Sequence, residues 1–139
     1  MTTAEQHAAT MRRFVQEVQS RGRIELIDDY LSSDFVDRTP FPGAGATRDD
    51  VKGVFGMLQA AFPDHDAVVL DMDAEGDRVT TYKTFNGTHQ GEFMGIPATG
   101  RPVSIRVMDI VRFDDSRIAE HWNVVDVAGL LQQLGAPPG

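Results

Sequence analysis

The sequence predicts an α+β domain in which N-terminal helices pack on a strongly curved, mostly antiparallel sheet. Up to Pro63, apolar residues recur at the three- and four-residue spacing of helices, whereas from Asp66 onward they alternate with a period of two. Helical segments followed by a run of hairpin-connected strands are typical of this class. A chain of 139 residues is large enough to bury its own core. We therefore expect residues 1–139 to form a single domain.

The first part of the chain predicts three helices and one irregular segment. An apolar stripe at helical spacing indicates a helix over residues 4–21, and a short helix is expected over 24–30. Turn residues and prolines mark residues 31–43 as irregular. Thr47 followed by Asp50 three residues later has the pattern of a helix start, and it predicts the third helix.

The second part predicts two hairpins and a final helix. The first hairpin joins strands 66–73 and 78–88, and the second joins strands 103–113 and 117–125. A last short helix is expected over residues 127–134. Helices over one face of a curved sheet leave a conical pocket, and binding residues are expected there.

The bulk composition excludes several classes of function. A net charge of -8 disfavours nucleic acid and anionic membranes as partners, because both require neutralising Lys and Arg residues. Without cysteine, the chain forms no disulfide and has no thiolate nucleophile or ligand. No apolar run approaches the roughly 18 residues of a membrane span, and the polar N-terminus lacks the pattern of a secretion signal. We expect a soluble cytoplasmic protein.

Asp109 is the foremost candidate for chemistry. On its strand it alternates with Val107 and Val111, which places a carboxylate in the middle of the apolar face. Burial there raises the pKa of the carboxyl or demands hydrogen bonds. A carboxylate tuned in this way is typical of a general base that removes a proton alpha to a carbonyl. The alternative is a structural aspartate satisfied by backbone amides or a tyrosine.

The partner strand offers three further candidates. With a two-residue turn, Asp109 faces Trp122, and Trp122 and Asp126 share its face, while His121 lies on the opposite face. A bulge would reverse this, so His121 either lies in the pocket or in a subunit interface. Trp122 is then a flat wall for an aromatic ligand or a core residue. Asp126 is a competing base or the N-cap of the last helix.

The Gly- and Pro-rich loop over residues 87–103 carries a recognisable pattern, G-T-H-x-G-x-F-x-G-I-P-x-T-G. Its histidine, His89, either donates a hydrogen bond to a substrate oxygen or holds the loop in place. Together with the later Glu120-His121-Trp122, this pattern resembles the SnoaL-like polyketide cyclase (ester cyclase) family, a part of the nuclear-transport-factor-2-like superfamily. The resemblance implies a cystatin-like α+β barrel.

The resemblance implies a cofactor-free aldol-type ring closure of an aromatic polyketide ester. An aspartate would take the alpha proton, a role that we assign to Asp109, and His89 or His121 would steady the enolate oxygen. Family members often carry Asn or Asp followed by His at this point of the chain. Here Asp37 is followed by Arg38, so the resemblance does not carry an acid/base role over to the second position. The residues expected to contact the substrate are Asp37, Arg38, Phe41, Phe93, Met94 and Trp122.

No metal or cofactor is expected, because no HxxxH, HExxH or dinucleotide fingerprint is present. The partner is a small hydrophobic ligand. Two alternative functions stay open: an isomerase or hydrolase of a small hydrophobic molecule, and a non-catalytic ligand-binding or dimerisation domain. Epoxide hydrolysis would need an arginine beside Asp109, and alternation points Arg106 away from it. Met108 and Ile110 on the outward face predict a homodimer or homotetramer.

Overall fold

The computed structural model describes residues 2–135 and has the predicted α+β architecture. Its helices are α1 (Thr3–Phe14), which continues as a π-helix (Val15–Ser20), then a 3-10 turn (Ile24–Leu26), α2 (Ile27–Tyr30), α3 (Arg48–Ala61) and α4 (Val127–Gln133). Its strands are β1 (Leu31–Asp37), β2 (Asp66–Glu75), β3 (Arg78–Thr88), β4 (Pro102–Asp114) and β5 (Arg117–Val125). None of the helices in residues 2–135 combines the length and the apolarity that a membrane crossing requires.

The five strands form one open sheet in the order β1-β5-β4-β3-β2. The three hairpin-type pairs are antiparallel, and β1 joins the edge by pairing parallel to β5. The sheet is therefore mixed and does not close into a barrel. The N-terminal helix packs on the inner face, where Met11 and Phe14 share a core with Val79 and Val111 of the central strands.

Strand β1 corrects the expectation that residues 31–43 are irregular. Leu31 and Phe35 are both buried, and they anchor β1 in the core beside α1. The strand could not be predicted from local sequence patterns, because its partner, β5, lies more than eighty residues away and runs parallel to it. Only the part after β1 is irregular, and there Pro40 and Pro42 prevent further strand pairing.

The start of α3 forms as the sequence predicts. The hydroxyl of Thr47 accepts a hydrogen bond from the backbone N–H of Asp50 (3.2 Å), and the Asp50 carboxylate accepts one from the Thr47 N–H (3.0 Å). This reciprocal capping box satisfies two backbone donors that a helix start leaves free. It fixes the helix whose apolar side covers the sheet.

One bulge in the second hairpin decides which side chains face inward. The two-residue turn is confirmed, since Asp114 pairs with Arg117 and Phe113 with Ile118. The next pair is Arg112 with Glu120, so Ala119 is an extra residue on β5. Because an extra residue inverts every later position of its strand, the faces of residues 120–125 are reversed relative to an unbroken hairpin.

Candidate active site

A cavity of about 450 Å³ lies between the helices and the inner face of the sheet. This volume falls in the range of small-molecule pockets, and the walls are mainly apolar side chains from α1, α3 and the strands. On the sheet side, four ionisable groups and one amide interrupt the apolar lining: Asp37, Lys83, Asp109, His121 and Asn123.

Asp109 occupies the position that strand alternation predicts. It lies on the buried side of β4 between Val107 and Val111, and only 2% of its surface is exposed. Its Oδ1 atom is 2.7 Å from His121 Nε2, and its Oδ2 atom forms an ion pair with the Lys83 ammonium. The expected hydrogen-bond partners therefore exist, but they are two cations rather than backbone amides or a tyrosine.

These partners decide the protonation state of Asp109. Burial by itself raises the pKa of the carboxyl, but the positive charge of Lys83 and the hydrogen bond from His121 outweigh it. The net result holds the pKa of Asp109 well below its usual range. The carboxylate is therefore ionised at neutral pH, inside an apolar cavity.

His121 bridges two carboxylates. Its Nε2 atom faces Asp109 Oδ1 at 2.7 Å, and its Nδ1 atom faces Asp37 Oδ1 at 3.1 Å. Burial lowers the pKa of the imidazole, but hydrogen bonds to the two carboxylates dominate and raise it to about 9. At neutral pH His121 is thus an imidazolium that donates from both ring nitrogens. Of the two predicted alternatives for His121, the pocket is the correct one and the subunit interface is wrong, because the bulge at Ala119 turns its side chain inward.

Lys83 is a site residue that sequence reasoning missed. It lies on the buried side of β3, where its ammonium donates to Gln19 Oε1 and pairs with Asp109. Alternation from Val79 through Phe85 placed Lys83 on the inner face and was a usable signal. Gln19 belongs to the π-helical turn after α1, and no sequence pattern indicated its orientation.

Asn123 is a second missed residue, and Thr39 holds it in place. The Thr39 hydroxyl donates to Asn123 Oδ1 (3.0 Å) and accepts from the Asn123 backbone N–H (2.8 Å). Thr39 also donates its own backbone N–H to Asp37 Oδ1 (3.1 Å). With Oδ1 engaged, Nδ2 is the donor that Asn123 retains for a ligand.

The structure corrects two candidates on the second hairpin. The prediction that Trp122 forms a wall of the pocket is wrong, because the bulge turns its side chain to the outer face. There the guanidinium carbon of Arg78 lies 5.1 Å from the centroid of its ring. Asp126 is exposed, and its Oδ1 accepts from the Gly129 N–H (2.9 Å) at the start of α4. It is therefore the N-cap, and it does not line the cavity beside Asp109.

Two further candidates also lie outside the cavity lining. His89 is fully buried beneath the Gly/Pro loop, where its Nδ1 atom accepts from the Thr99 N–H (3.2 Å). This contact matches the loop-holding alternative rather than a donor to a substrate oxygen. Arg38 points to the surface and pairs with Glu120 (2.8 Å), since its neighbour Asp37 takes the inward position in β1.

The remaining expected contact residues line the cavity. Phe41, Phe93 and Met94 contribute to its wall alongside Asp37. The rings of Phe41 and Phe93 meet edge to face at 6.0 Å, which joins the proline-containing loop to the Gly/Pro loop. Their contact with a substrate stays a prediction.

An α+β fold that encloses an apolar cavity with a buried carboxylate–imidazolium pair defines a small-molecule pocket protein. A family model described as SnoaL-like polyketide cyclase matches residues 9–134, and the chain belongs to this family. The resemblance read from the Gly/Pro loop and from the residues around His121 is confirmed.

Known proteins support this assignment. Nogalonic acid methyl ester cyclase from Streptomyces nogalater is 26% identical over 118 residues, which cover 84% of this chain and 88% of that protein. The structure of TsrD from Streptomyces laurentii has a TM-score of 0.88 and 26% identity, and the match covers 99% of this chain and 100% of that one. For IdmH from Streptomyces antibioticus the TM-score is 0.83 with 34% identity, over 94% and 99% of the two chains.

The buried ion pair leads to a stability prediction. Lys83→Met leaves the Asp109 charge without one of its two cations, so we expect the free energy of unfolding to fall by about 3 kcal/mol. Lys52→Met is the matched control, because Lys52 pairs with Asp28 at 2.7 Å on the surface and its loss should change little. Urea unfolding at pH 7 measures both. Equal, small effects of the two substitutions would show that Lys83 does not compensate Asp109.

Proposed function

We propose that the protein catalyses the cofactor-free intramolecular aldol ring closure of a polyketide ester or a similar hydrophobic ester. The observation that carries the proposal is the direct contact of Asp109 Oδ1 with His121 Nε2 at 2.7 Å inside the apolar cavity. Membership of the SnoaL-like polyketide cyclase family and the similarity to nogalonic acid methyl ester cyclase support the same reaction class.

In this proposal Asp109 is the base. His121 and Lys83 engage both of its oxygens, which makes the carboxylate a weak proton acceptor. When a substrate carbonyl oxygen takes over the contact with Lys83, the Oδ2 atom is released. It then removes the proton alpha to that carbonyl, and the electron pair of the C–H bond moves into the enolate.

Lys83 stabilises the enolate. Its ammonium is held by Gln19 at the cavity wall, so it is positioned before the substrate binds. A fixed cation next to a developing oxyanion, in surroundings that exclude water, lowers the energy of the transition state more than it would in solution. The apolar lining from α1 and α3 supplies these surroundings.

His121 completes the cycle. The enolate carbon attacks a second carbonyl carbon of the same molecule, a C–C bond forms, and the resulting alkoxide takes a proton from the His121 imidazolium. The carboxyl group of Asp109 then turns its protonated oxygen toward His121 Nε2 and returns the proton to the imidazole, which restores both groups. Asp37 holds the imidazole through Nδ1 during these steps. No proton is gained or lost overall, and the product is an isomer of the substrate.

An isomerase is the second candidate, because the same contact between Asp109 and His121 could return the proton to a different carbon. Epoxide hydrolysis has less support. Arg106, three residues from Asp109 along β4, lies on the outer face with its guanidinium 5.5 Å from the ring centroid of Tyr82. It therefore does not join Asp109 around a nucleophilic water.

Asp109→Asn tests the role of the base. The amide keeps an oxygen for His121 but has no proton affinity, so we expect turnover to fall by a factor of about 10²–10⁴ while binding persists. Asp126→Asn is the matched control and should keep full activity, since asparagine is an equally good N-cap. Aromatic polyketide methyl esters and steroid-like ketones are screened by thermal shift, and the products are identified by mass and NMR.

Three outcomes separate the candidate functions. Ring closure by the wild type and by Asp126→Asn, but not by Asp109→Asn, supports the cyclase. Double-bond migration in the same pattern supports the isomerase. Stabilisation of all three proteins by one compound without turnover supports a non-catalytic binding domain, and full activity of Asp109→Asn would contradict the assigned base.

We also propose that a second copy of the chain packs on the outer face of the sheet. Val124 is 74% exposed and Met108 is 42% exposed on this face, next to the partly exposed Trp122. Exposed apolar side chains that adjoin one another are typical of subunit interfaces.

Val124→Arg should convert this homodimer to a monomer, because a charge at the centre of an apolar, self-complementary interface is buried without a partner. Gln132→Arg on the exposed side of α4 is the control and should leave the dimer intact. Sedimentation equilibrium of the three proteins measures the mass. A wild-type protein that sediments as a monomer at all concentrations would refute the interface.

A further inference from the structure

A second polar group, separate from the Asp109 cluster, lies on the cavity wall. His65 stands between the end of α3 and the start of β2, and its backbone N–H donates to the Phe62 carbonyl (3.0 Å). The preceding residue, Asp64, accepts hydrogen bonds from the N–H and the hydroxyl of Thr88, each at 2.7 Å. These contacts fix the position of His65 against β3.

One nitrogen of the His65 imidazole has no hydrogen-bond partner in the described part of the chain. Only 9% of its surface is exposed, and its Nδ1 atom is buried without a hydrogen-bond partner among residues 2–135. A buried polar atom of this kind is destabilising unless another group satisfies it. Nδ1 has no surface open to the cavity in the present orientation of the ring. Because His65 lines the cavity, a rotation of the ring about its Cβ–Cγ bond would bring this nitrogen to a ligand there.

Strand geometry gives the separation of His65 from the reacting groups. A methyl group added at Gly87 would lie 3.4 Å from His65 Cα, so His65 sits beside Gly87. Gly87 is four residues along β3 from Lys83, which corresponds to about 13 Å of strand. A ligand that reaches both positions is therefore elongated.

Aromatic side chains form the wall near His65. The His65 ring lies 5.6 Å from Phe85, and Phe85 in turn meets Phe62 edge to face at 5.5 Å. Together with Ile105, these side chains form an apolar surface that suits a flat ring system.

We propose that His65 is a specificity residue that hydrogen-bonds a hydroxyl or carbonyl oxygen at the far end of a flat, elongated aromatic ligand. The reacting end of the same ligand lies at Asp109 and Lys83. This inference rests on the proposed function for the identity of the reacting end, whereas the contact at His65 concerns binding alone.

Two probe compounds of nearly equal shape test the contact: 2-hydroxyanthraquinone and 2-methylanthraquinone. We expect the wild type to bind the hydroxyl compound about tenfold more tightly, which corresponds to one hydrogen bond. His65→Phe keeps an aromatic ring but removes both nitrogens, so it should bind the two compounds equally. His65→Asn keeps a polar group near the position of Nδ1 and should retain part of the preference. Isothermal titration calorimetry measures all the affinities, and melting temperatures verify folding.

The outcomes distinguish this inference from the proposed function. Asp109→Asn should keep the wild-type preference for the hydroxyl compound, whether or not the wild type turns over any ester. Retention of the preference in His65→Phe, equal affinities in the wild type, or no binding of either compound would overturn the inference. A preference that depends on His65 in a protein without cyclase activity would leave the inference standing and reject the reaction.

Discussion

The buried charge of Asp109 is the constraint on which the rest of the site depends. A carboxylate in the apolar face of a central strand is stable only if opposite charges and hydrogen bonds replace the lost water. Lys83 and His121 supply these, and Asp37 balances the charge of His121. The two carboxylates and two cations are neutral as a group, and the acid–base pair is assembled before any substrate enters.

A single extra residue in β5 places His121 in this group. Without the bulge at Ala119, the register set by the pair of Asp114 and Arg117 would continue along β5 and would point His121 outward and Trp122 into the cavity. With the bulge, His121 meets Asp109, while Trp122 contributes to the outer face of the sheet. The same local irregularity thus separates the surface proposed for chemistry from the surface proposed for association.

Local patterns in the sequence were sufficient for much of the fold. Alternation along β4 placed Asp109 correctly, and the Thr47–Asp50 spacing located the start of α3. Features that depend on residues far apart in the chain were not predictable in this way. Neither the parallel pairing of β1 with β5 nor the contact of Lys83 with Asp109 leaves a periodic signal. The bulge at Ala119 was recognised only as an alternative, because the side chains on both faces of β5 include apolar residues.

The central claim is that His121 is charged at neutral pH and exchanges a proton with Asp109. The most direct test is to follow the imidazole nitrogens of His121 by ¹⁵N NMR between pH 5 and pH 11. We expect two protonated nitrogens at pH 7, titration near pH 9, and a lower pKa in Asp109→Asn, which removes a carboxylate that stabilises the charge. A neutral imidazole at pH 7 with the same titration in both proteins would contradict it.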